Sequence, residues 1–132
     1  MRLSEVAGLL DCEVLLGAEQ LAGIEVQACF AADLMSDVLR FSHSGALLIT
    51  GLTSLQSIHT ANVADLAAIL FVSSKVPGRA TIDLARANDI PLLTTPHDMF
   101  AACGVLHCAG LARAPEARPV EAVAGEARGA GS

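Results

Sequence analysis

The stretch EVQACFAADLMSDVL, residues 25–39, shows most directly how this chain folds. Its first half continues a mostly apolar run over 24–30, which is typical of a strand. Its second half belongs to a run over 33–41 that carries apolar residues at helical spacing. A strand that passes within a few residues into a helix is the beginning of a βα unit, and the rest of the chain repeats this order.

The alternation of strand and helix patterns continues to residue 109. Residues 68–72 have the unbroken apolar character of a strand that is buried on both faces. Because alternating elements build βαβ units, the sequence predicts an α/β fold with a mainly parallel sheet and helices on its faces. The remaining predicted strands are 13–16, 46–50 and 91–94, and the remaining predicted helices are one capped by Ser4 and those at 54–65, 80–88 and 99–109.

Composition indicates one globular domain over residues 1–111. The chain has 132 residues, of which 53% are hydrophobic and 17% are charged, enough for a single apolar core. From 112 to 132 the sequence loses its apolar period, so we predict a disordered or loosely held tail. The longest apolar run, 66–72, is far short of the ~20 residues that span a bilayer. With no pattern of a secretory signal, we expect no membrane partner and a cytoplasmic location.

Net charge argues against nucleic-acid binding. The chain carries 14 acidic and 8 basic residues, for a net charge of −6. A protein that binds the phosphate backbone needs clustered lysine and arginine, whereas the basic residues here are scattered. Without Trp or Tyr, and with four Phe, the chain also offers few side chains on which bases could stack. We therefore expect no nucleic-acid partner.

Polar residues follow three of the predicted parallel strands, at the edge where ligands usually bind in such sheets. Hydroxyl groups, a glycine and the N–H groups of helix N-termini suit a phosphate or a carboxylate. The alternative is that these residues only cap helices. The sequence thus predicts a small-anion site formed by Thr50, Gly51, Thr53, Ser54, Ser73, Ser74, Lys75, Thr94, Thr95 and His97.

Asp33, Ser36 and Asp37 form a second polar group. If residues 33–39 are helical, both carboxylates lie on one face, because residues four apart stack on a helix. Such a pair could bind a divalent cation or meet a basic group of a partner. Alternatively, Ser36 or Asp33 caps a short helix and Asp37 lies near its positive end. Both interpretations remain open.

The order and spacing of these segments resemble the DRTGG-domain family, whose members include the N-terminal domain of HPr kinase/phosphorylase and modules of some phosphotransacetylases and CBS-containing pyrophosphatases. The resemblance covers about residues 1–111 and implies the fold of the HPr kinase N-terminal domain. It follows the segments MRLSEVAGLLDCEVLLG, EVQACFAADLMSDVL, GALLITG, DLAAILFVSSKVP and IPLLTTPHDMFAACGVLHCAGL. The five positions that give the family its name are replaced, and they read Gly23, Ile24, Gln27, Ala28 and Cys29.

The resemblance implies a non-catalytic regulatory domain. Such a domain would sense a small anionic metabolite or nucleotide, or modulate a partner enzyme, and it would form a homodimer. It would also give the Asp33, Ser36 and Asp37 group a regulatory or interface role. The kinase activity of the relative resides in a separate domain, and Lys75, the single lysine, is not part of a Walker A motif. We therefore predict no enzyme activity and no cofactor.

The cysteines support one alternative. Cys103 and His107 are four residues apart on the last predicted helix, which could place two soft metal ligands side by side, with Cys29 as a further candidate. This interpretation makes the chain a metal-binding or redox-accessory protein, and the resemblance to the DRTGG family implies hydrogenase-type redox enzymes as the ones with which it would be associated. The other interpretation is that the cysteines are reduced core residues, because Cys103 also lies on an apolar stripe and no C-x-x-C motif is present.

Overall fold

The computed structural model describes residues 1–40 and 44–115. Within these ranges the strands form one six-stranded sheet with the order β1-β5-β4-β3-β2-β6. The strands β2 to β6 run parallel to their neighbours, and β1 pairs antiparallel with β5 at one edge. This confirms the predicted α/β fold with a mainly parallel sheet. The strands are β1 Glu13–Leu16, β2 Ala28–Ala31, β3 Leu47–Thr50, β4 Ala68–Phe71, β5 Leu92–Thr94 and β6 Ala112–Arg113.

Helices cover the sheet on both faces, as the sequence predicts. They are α1 Leu3–Leu9, α2 Met35–Arg40, α3 Leu55–Val63, α4 Arg79–Ala87 and α5 Met99–Cys108, with a 3₁₀ helix at Ala18–Gly23. One hydrophobic cluster joins the sheet to α1, α5 and the 3₁₀ helix, and a second joins it to α2, α3 and α4. Alternate residues of β4 belong to the two clusters, since Leu70 packs in the first and Ile69 in the second. This explains the unbroken apolar run of that strand.

The direction of the chain determines where the loops lie. From β2 to β5 the chain moves along the sheet in one direction, with α2, α3 and α4 on the same face. After β5, α5 returns over the opposite face and leads to β6, beside β2. The loops after β4 and β5 therefore leave the same edge of the sheet toward opposite faces, which is the topology around which α/β proteins usually bind ligands.

The predicted and observed elements differ most clearly at three places. The first helix begins at Leu3 rather than behind a Ser4 cap, and the Arg2 N–H donates to Glu5 Oε1 at 2.7 Å. The second helix begins at Met35, so Asp33 precedes it and the predicted stacking of Asp33 and Asp37 on one helix face is wrong. Residues 24–27 lie outside the sheet ladder, apart from a single bridge between Arg2 and Glu25.

The ordered sheet also extends past the predicted domain boundary at residue 111. Ala112–Arg113 pair in parallel with β2, and the N–H of the buried Ala114 donates to the Cys29 carbonyl at 2.7 Å. Residues 116–132 of the predicted tail lie outside the described residues, so their disorder stays a prediction. No helix in the described ranges is long and apolar enough to cross a membrane.

Candidate functional site

The carboxyl ends of β2, β3, β4 and β5 lie side by side, because these four strands are parallel neighbours. The sequence-predicted anion-site residues therefore meet at one edge of the sheet, which we call the carboxyl edge. Asp33, just beyond β2, lies at the same edge. The hydrogen bonds of the carboxyl edge divide it into two halves.

In the first half, Asp33 is tied to the end of β3. Its Oδ1 accepts from the Gly51 N–H at 2.7 Å and from Thr50 Oγ1 at 3.0 Å. The buried Thr50 hydroxyl also accepts from the Leu52 N–H at 3.1 Å, which fixes the turn after β3. Asp33 thus links the segment after β2 to the turn after β3. The hydroxyl of Thr50 makes its hydrogen bonds within the protein.

Lys75 reaches this half from the loop after β4. A β-carbon added to Gly51 would lie 3.2 Å from Lys75 Nζ, 3.4 Å from Asp33 Oδ1 and 3.7 Å from Asp33 Oδ2. The ammonium group and the carboxylate therefore flank the same glycine, which has no side chain to keep them apart. Lys75 is exposed, so its ammonium group is accessible to a ligand.

In the second half, hydrogen bonds join the loops after β4 and β5. Ser73 and Ser74 both have left-handed backbones, with φ of 58° and 57°. Their N–H groups donate to the carbonyls of His97 and Thr95, each at 2.8 Å. Thr94 Oγ1 donates to the Lys75 carbonyl at 2.7 Å. Two successive non-glycine residues in this conformation are strained, and these bonds hold the strain in place.

Thr95 connects the carboxyl edge to α1. Its fully buried hydroxyl donates to the Leu10 carbonyl at 2.6 Å and accepts from the His97 N–H at 3.3 Å. Thr50, Thr94 and Thr95 therefore use their hydroxyls within the protein. The predicted site residues that are exposed or half-buried are Gly51, Thr53, Ser54, Ser73, Ser74, Lys75 and His97.

Two helices begin at the carboxyl edge with different caps. Ser54 precedes α3, and its side chain makes no capping hydrogen bond. Asp98 precedes α5 and caps it, because its Oδ1 accepts from the Ala101 N–H at 2.8 Å. The carboxylate of Asp98 is thereby directed to the helix rather than to the neighbouring His97.

Ser36 and Asp37 lie in the first turn of α2, where Ser36 is exposed and Asp37 is half-buried. Asp33 binds the β3 turn instead of this helix. The carboxylates of Asp33 and Asp37, which the sequence grouped, therefore lie in different surroundings: the first binds the turn after β3 and the second lies in the first turn of α2. A regulatory or interface role for this segment stays a prediction.

A concave surface that the sequence did not reveal lies between α5 and the β2–β6 edge. It has a volume of about 420 Å³ and is mainly apolar. Phe100 is 89% exposed at its rim. We call this surface the α5 groove, and it is lined by Cys29, Phe30, Ala31, Phe100, Cys103, Gly104, His107, Leu111 and Arg113.

The α5 groove brings together the three residues of the metal alternative, Cys29, Cys103 and His107. Burial, and then the neighbouring Cys103, raise the pKa of Cys29 to about 11, and burial raises the pKa of Cys103. A raised pKa disfavours the thiolate form that binds metals and reacts in redox chemistry. Among residues 1–40 and 44–115, no group of three or more His, Cys, Asp or Glu could hold a metal ion. The raised pKa values of these two thiols therefore disfavour this alternative.

Comparison with known proteins identifies the family. The model of the DRTGG domain matches residues 5–109. This chain belongs to the DRTGG-domain family. No curated protein matches the chain. The membership confirms the resemblance that the segment order indicated.

Among solved structures, this DRTGG domain is similar to a crystal structure of the CBS and DRTGG domains of the regulatory region of Clostridium perfringens pyrophosphatase, complexed with the activator diadenosine tetraphosphate. The TM-score is 0.61 at 18% sequence identity. The match covers 80% of this chain and 45% of the other, so this domain corresponds to less than half of that structure. At this identity the likeness supports the fold.

Proposed function

We propose that this chain is a non-catalytic regulatory domain that binds a small anionic ligand, a nucleotide or another phosphorylated metabolite, at the carboxyl edge and modulates a partner enzyme. Family membership supports the regulatory role, because the similar structure is the regulatory region of a pyrophosphatase with a nucleotide activator. The proposal includes a homodimer and a cytoplasmic location, both of which are predictions from the sequence.

The observation that carries the proposal is the position of Lys75 beside Gly51. The ammonium group can donate to a phosphate or carboxylate, and such charge-assisted hydrogen bonds are stronger than neutral ones. Asp33 Oδ1 already accepts two hydrogen bonds, and both oxygens of this carboxylate lie on the same side of Gly51 as the ammonium group. The pair therefore suits a ligand that carries both an anionic group and a hydroxyl donor.

The helices add a favourable field at the same edge. α3 begins after Ser54 and α4 begins after Gly78, so both N-termini face the carboxyl edge. Each helix N-terminus carries a partial positive charge and N–H groups without helical partners. These N-termini would favour an anion beside Lys75, whereas the neighbouring Asp33 carboxylate would favour a hydroxyl donor of the ligand.

The hydrogen bonds of the carboxyl edge also support a non-catalytic role. A general acid–base pair must converge on a reacting group. Asp98 is used as the cap of α5, and Asp33 is used to hold the β3 turn. His97 thus has no carboxylate partner in this part of the described structure. Transfer of phosphate from ATP by the pure chain would contradict the proposal.

A dye-based thermal shift assay tests the ligand. The panel contains adenine and guanine nucleotides, dinucleotides, acetyl phosphate, sugar phosphates and divalent metals. A ligand at 100 times its dissociation constant adds about 2.7 kcal/mol of stability, which corresponds to a rise of several degrees in the midpoint. We expect one phosphorylated class to produce this shift.

A charge-matched pair of variants locates the site. Lys75→Gln should weaken binding about tenfold or more, because a hydrogen bond to a charged group is lost. Arg86→Gln removes the same charge from the last turn of α4, at the opposite end of the helix, and should leave binding unchanged. Equal effects of the two variants would indicate general electrostatics, and a panel without any shift would contradict ligand binding.

A further inference from the structure

We propose that the outer face of α5 is the contact between two copies of this chain, paired about a twofold axis so that Phe100 of each copy lies against Gly104 of the other. This inference rests on the homodimer included in the proposed function and adds the surface that forms it. The relevant side chains of α5 are Phe100, Cys103, Gly104 and His107, which line the α5 groove.

The composition of α5 indicates that its outer face is covered. Its ten residues, MFAACGVLHC, include no Asp, Glu, Lys or Arg. The inner side is buried against the sheet through Ala102 and Leu106. The outer side carries Phe100, which at 89% is the most exposed large hydrophobic side chain in the described ranges. A helix that is apolar all round is normally buried on both sides.

Gly104 is the second observation. It lies in the interior of α5, where glycine is a poor helix former. A β-carbon added to Gly104 would meet no atom within 4 Å, so the fold of one copy does not require a glycine here. A glycine here leaves room for another surface to approach the helix backbone closely.

Phe100 and Gly104 together favour a second copy of the chain over other occupants. They are one helical turn apart, about 6 Å along the axis. A twofold contact requires that a protrusion and its matching recess lie on the same surface, and Phe100 and Gly104 meet this condition. An antiparallel pair of α5 helices with the axis midway between them would insert each Phe100 ring beside the partner's Gly104.

Charge permits this pairing. The chain has a net charge of −6, so most of its surfaces would repel a second copy. None of the residues described as lining the α5 groove is acidic. Two copies can therefore approach through the groove without bringing carboxylates of its lining together, and the exposed Asp98 lies at the N-terminal end of α5, outside the groove.

Sedimentation equilibrium of the full chain, from micromolar to submillimolar concentrations, tests the proposal. The wild-type chain should dimerise. Phe100→Ala and Gly104→Gln should each raise the dissociation constant of the dimer about tenfold or more. Both variants should fold, because Phe100 is exposed and Gln is a better helix former than glycine. Far-ultraviolet circular dichroism would verify this.

Matched controls are exposed residues of α3 and α4, on the face of the sheet opposite to α5. Val63→Ala truncates another strongly exposed apolar side chain, and Ala87→Gln adds the same side chain as Gly104→Gln on the exposed surface of α4. Neither control should change the dissociation constant. A dimer that is weakened by the controls as much as by the α5 variants would contradict the proposal.

Isotope-filtered NOE measurements on a mixture of labelled and unlabelled chains test the register directly. The Phe100 ring of one copy should contact the α-protons of the partner's Gly104. Intermolecular contacts elsewhere, or a dimer indifferent to both α5 variants, would show that a different surface pairs and would overturn the inference while the homodimer itself stands.

A wild-type chain that stays monomeric would overturn both the inference and the homodimer. If such a monomer bound a nucleotide and lost it in Phe100→Ala, the groove would be a small-molecule site instead. The proposal of ligand binding at the carboxyl edge is tested independently of the dimer, since ligand binding depends on Lys75 and not on Phe100.

Discussion

The carboxyl edge and the outer face of α5 are built in opposite ways. At the carboxyl edge, Asp33, Thr94 and Thr95 are bound to neighbouring loops, and two strained serines are held by hydrogen bonds to the loop after β5. On α5, an exposed aromatic ring stands beside a glycine with open space around it. The carboxyl edge makes its polar contacts within a single copy of the chain. The outer face of α5 gains contacts only when a second surface packs against it.

This difference indicates how each region would act. An edge whose loops are joined by hydrogen bonds, including one to the Lys75 carbonyl, is suited to bind a small ligand, because little ordering of the backbone is required on binding. An apolar face is suited to pair with another surface, because burial of apolar area drives association. Substitutions that remove these hydrogen bonds should therefore lower stability at the carboxyl edge, whereas substitutions on the outer face of α5 should leave stability unchanged or raise it.

The largest expected effect concerns the thiol inside the α5 groove. Because the pKa of Cys29 is raised to about 11 from 9.0, the fraction of thiolate at pH 8 falls about a hundredfold. Cys29 should therefore react with iodoacetamide at least about a hundredfold more slowly than the exposed Cys108, as measured by mass spectrometry of the labelled peptides. Equal rates for Cys29 and Cys108 would show that the groove opens in solution, and would contradict the burial of the Cys29 thiol.

The same shift makes stability fall at high pH. The folded pKa of Cys29 exceeds the unfolded value of 9.0, so the folded state holds its proton more tightly. Its contribution is fully present below about pH 9 and is lost as the pH rises through about 11. Urea unfolding at pH 8 and pH 10.5 should show this loss, and Cys29→Ala should show a smaller one. An identical fall in both proteins would exclude Cys29 as its source.

Next in size is the loss of the buried hydroxyl at the carboxyl edge. Thr95→Val leaves the Leu10 carbonyl without its donor and should lower the free energy of unfolding by about 2 kcal/mol. Thr53→Val is the control, since this threonine is half-buried beside the edge, and it should change stability by less than about 0.5 kcal/mol. Urea denaturation followed by circular dichroism measures both.

The two carboxylates of the segment 33–37 should differ. Asp33→Ala removes the acceptor of the Gly51 N–H and should cost about 1.5 kcal/mol, whereas Asp33→Asn retains an acceptor oxygen and should cost less. Asp37→Ala loses only an interaction with the N-terminus of α2, about 0.5 kcal/mol. If Asp37 proved the more costly, the assignment of Asp33 as the bond between β2 and β3 would be wrong.

The last expected effect has the opposite sign. At concentrations that keep the chain monomeric, Gly104→Ala should raise the free energy of unfolding by up to about 1 kcal/mol, because alanine favours the helix and meets open space. Gly8→Ala in α1, also without neighbours, should raise it similarly. Destabilisation by Gly104→Ala alone would mean that the glycine serves the fold of a single copy.

The sequence predicts the framework well because its signals are local. β4 was predicted from its unbroken apolar run, and alternate residues of this strand indeed pack on the two faces of the sheet. The meeting of the strand ends at one edge follows from parallel topology. β6 was missed because two residues have no pattern of their own, and their conformation depends on the free edge of β2.

The details of the two regions depend on contacts between distant residues. Asp33 was placed in a helix, but its partner Gly51 is 18 residues away and depends on the register of β2 and β3. The hydroxyls of Thr94 and Thr95 were predicted for a ligand, but they bond to Lys75 and Leu10. For the α5 groove a signal was present, since residues 99–108 contain no Asp, Glu, Lys or Arg.

The most direct test of the account is a nuclear magnetic resonance titration of the ¹⁵N-labelled chain with the phosphorylated compound that raises the thermal midpoint most. The amides of Gly51, Ser74 and Lys75 should shift in proportion to occupancy, while those of Phe100 and Gly104 on α5 stay in place. Shifts confined to α5, or a panel in which no compound moves any amide, would contradict a ligand site at the carboxyl edge.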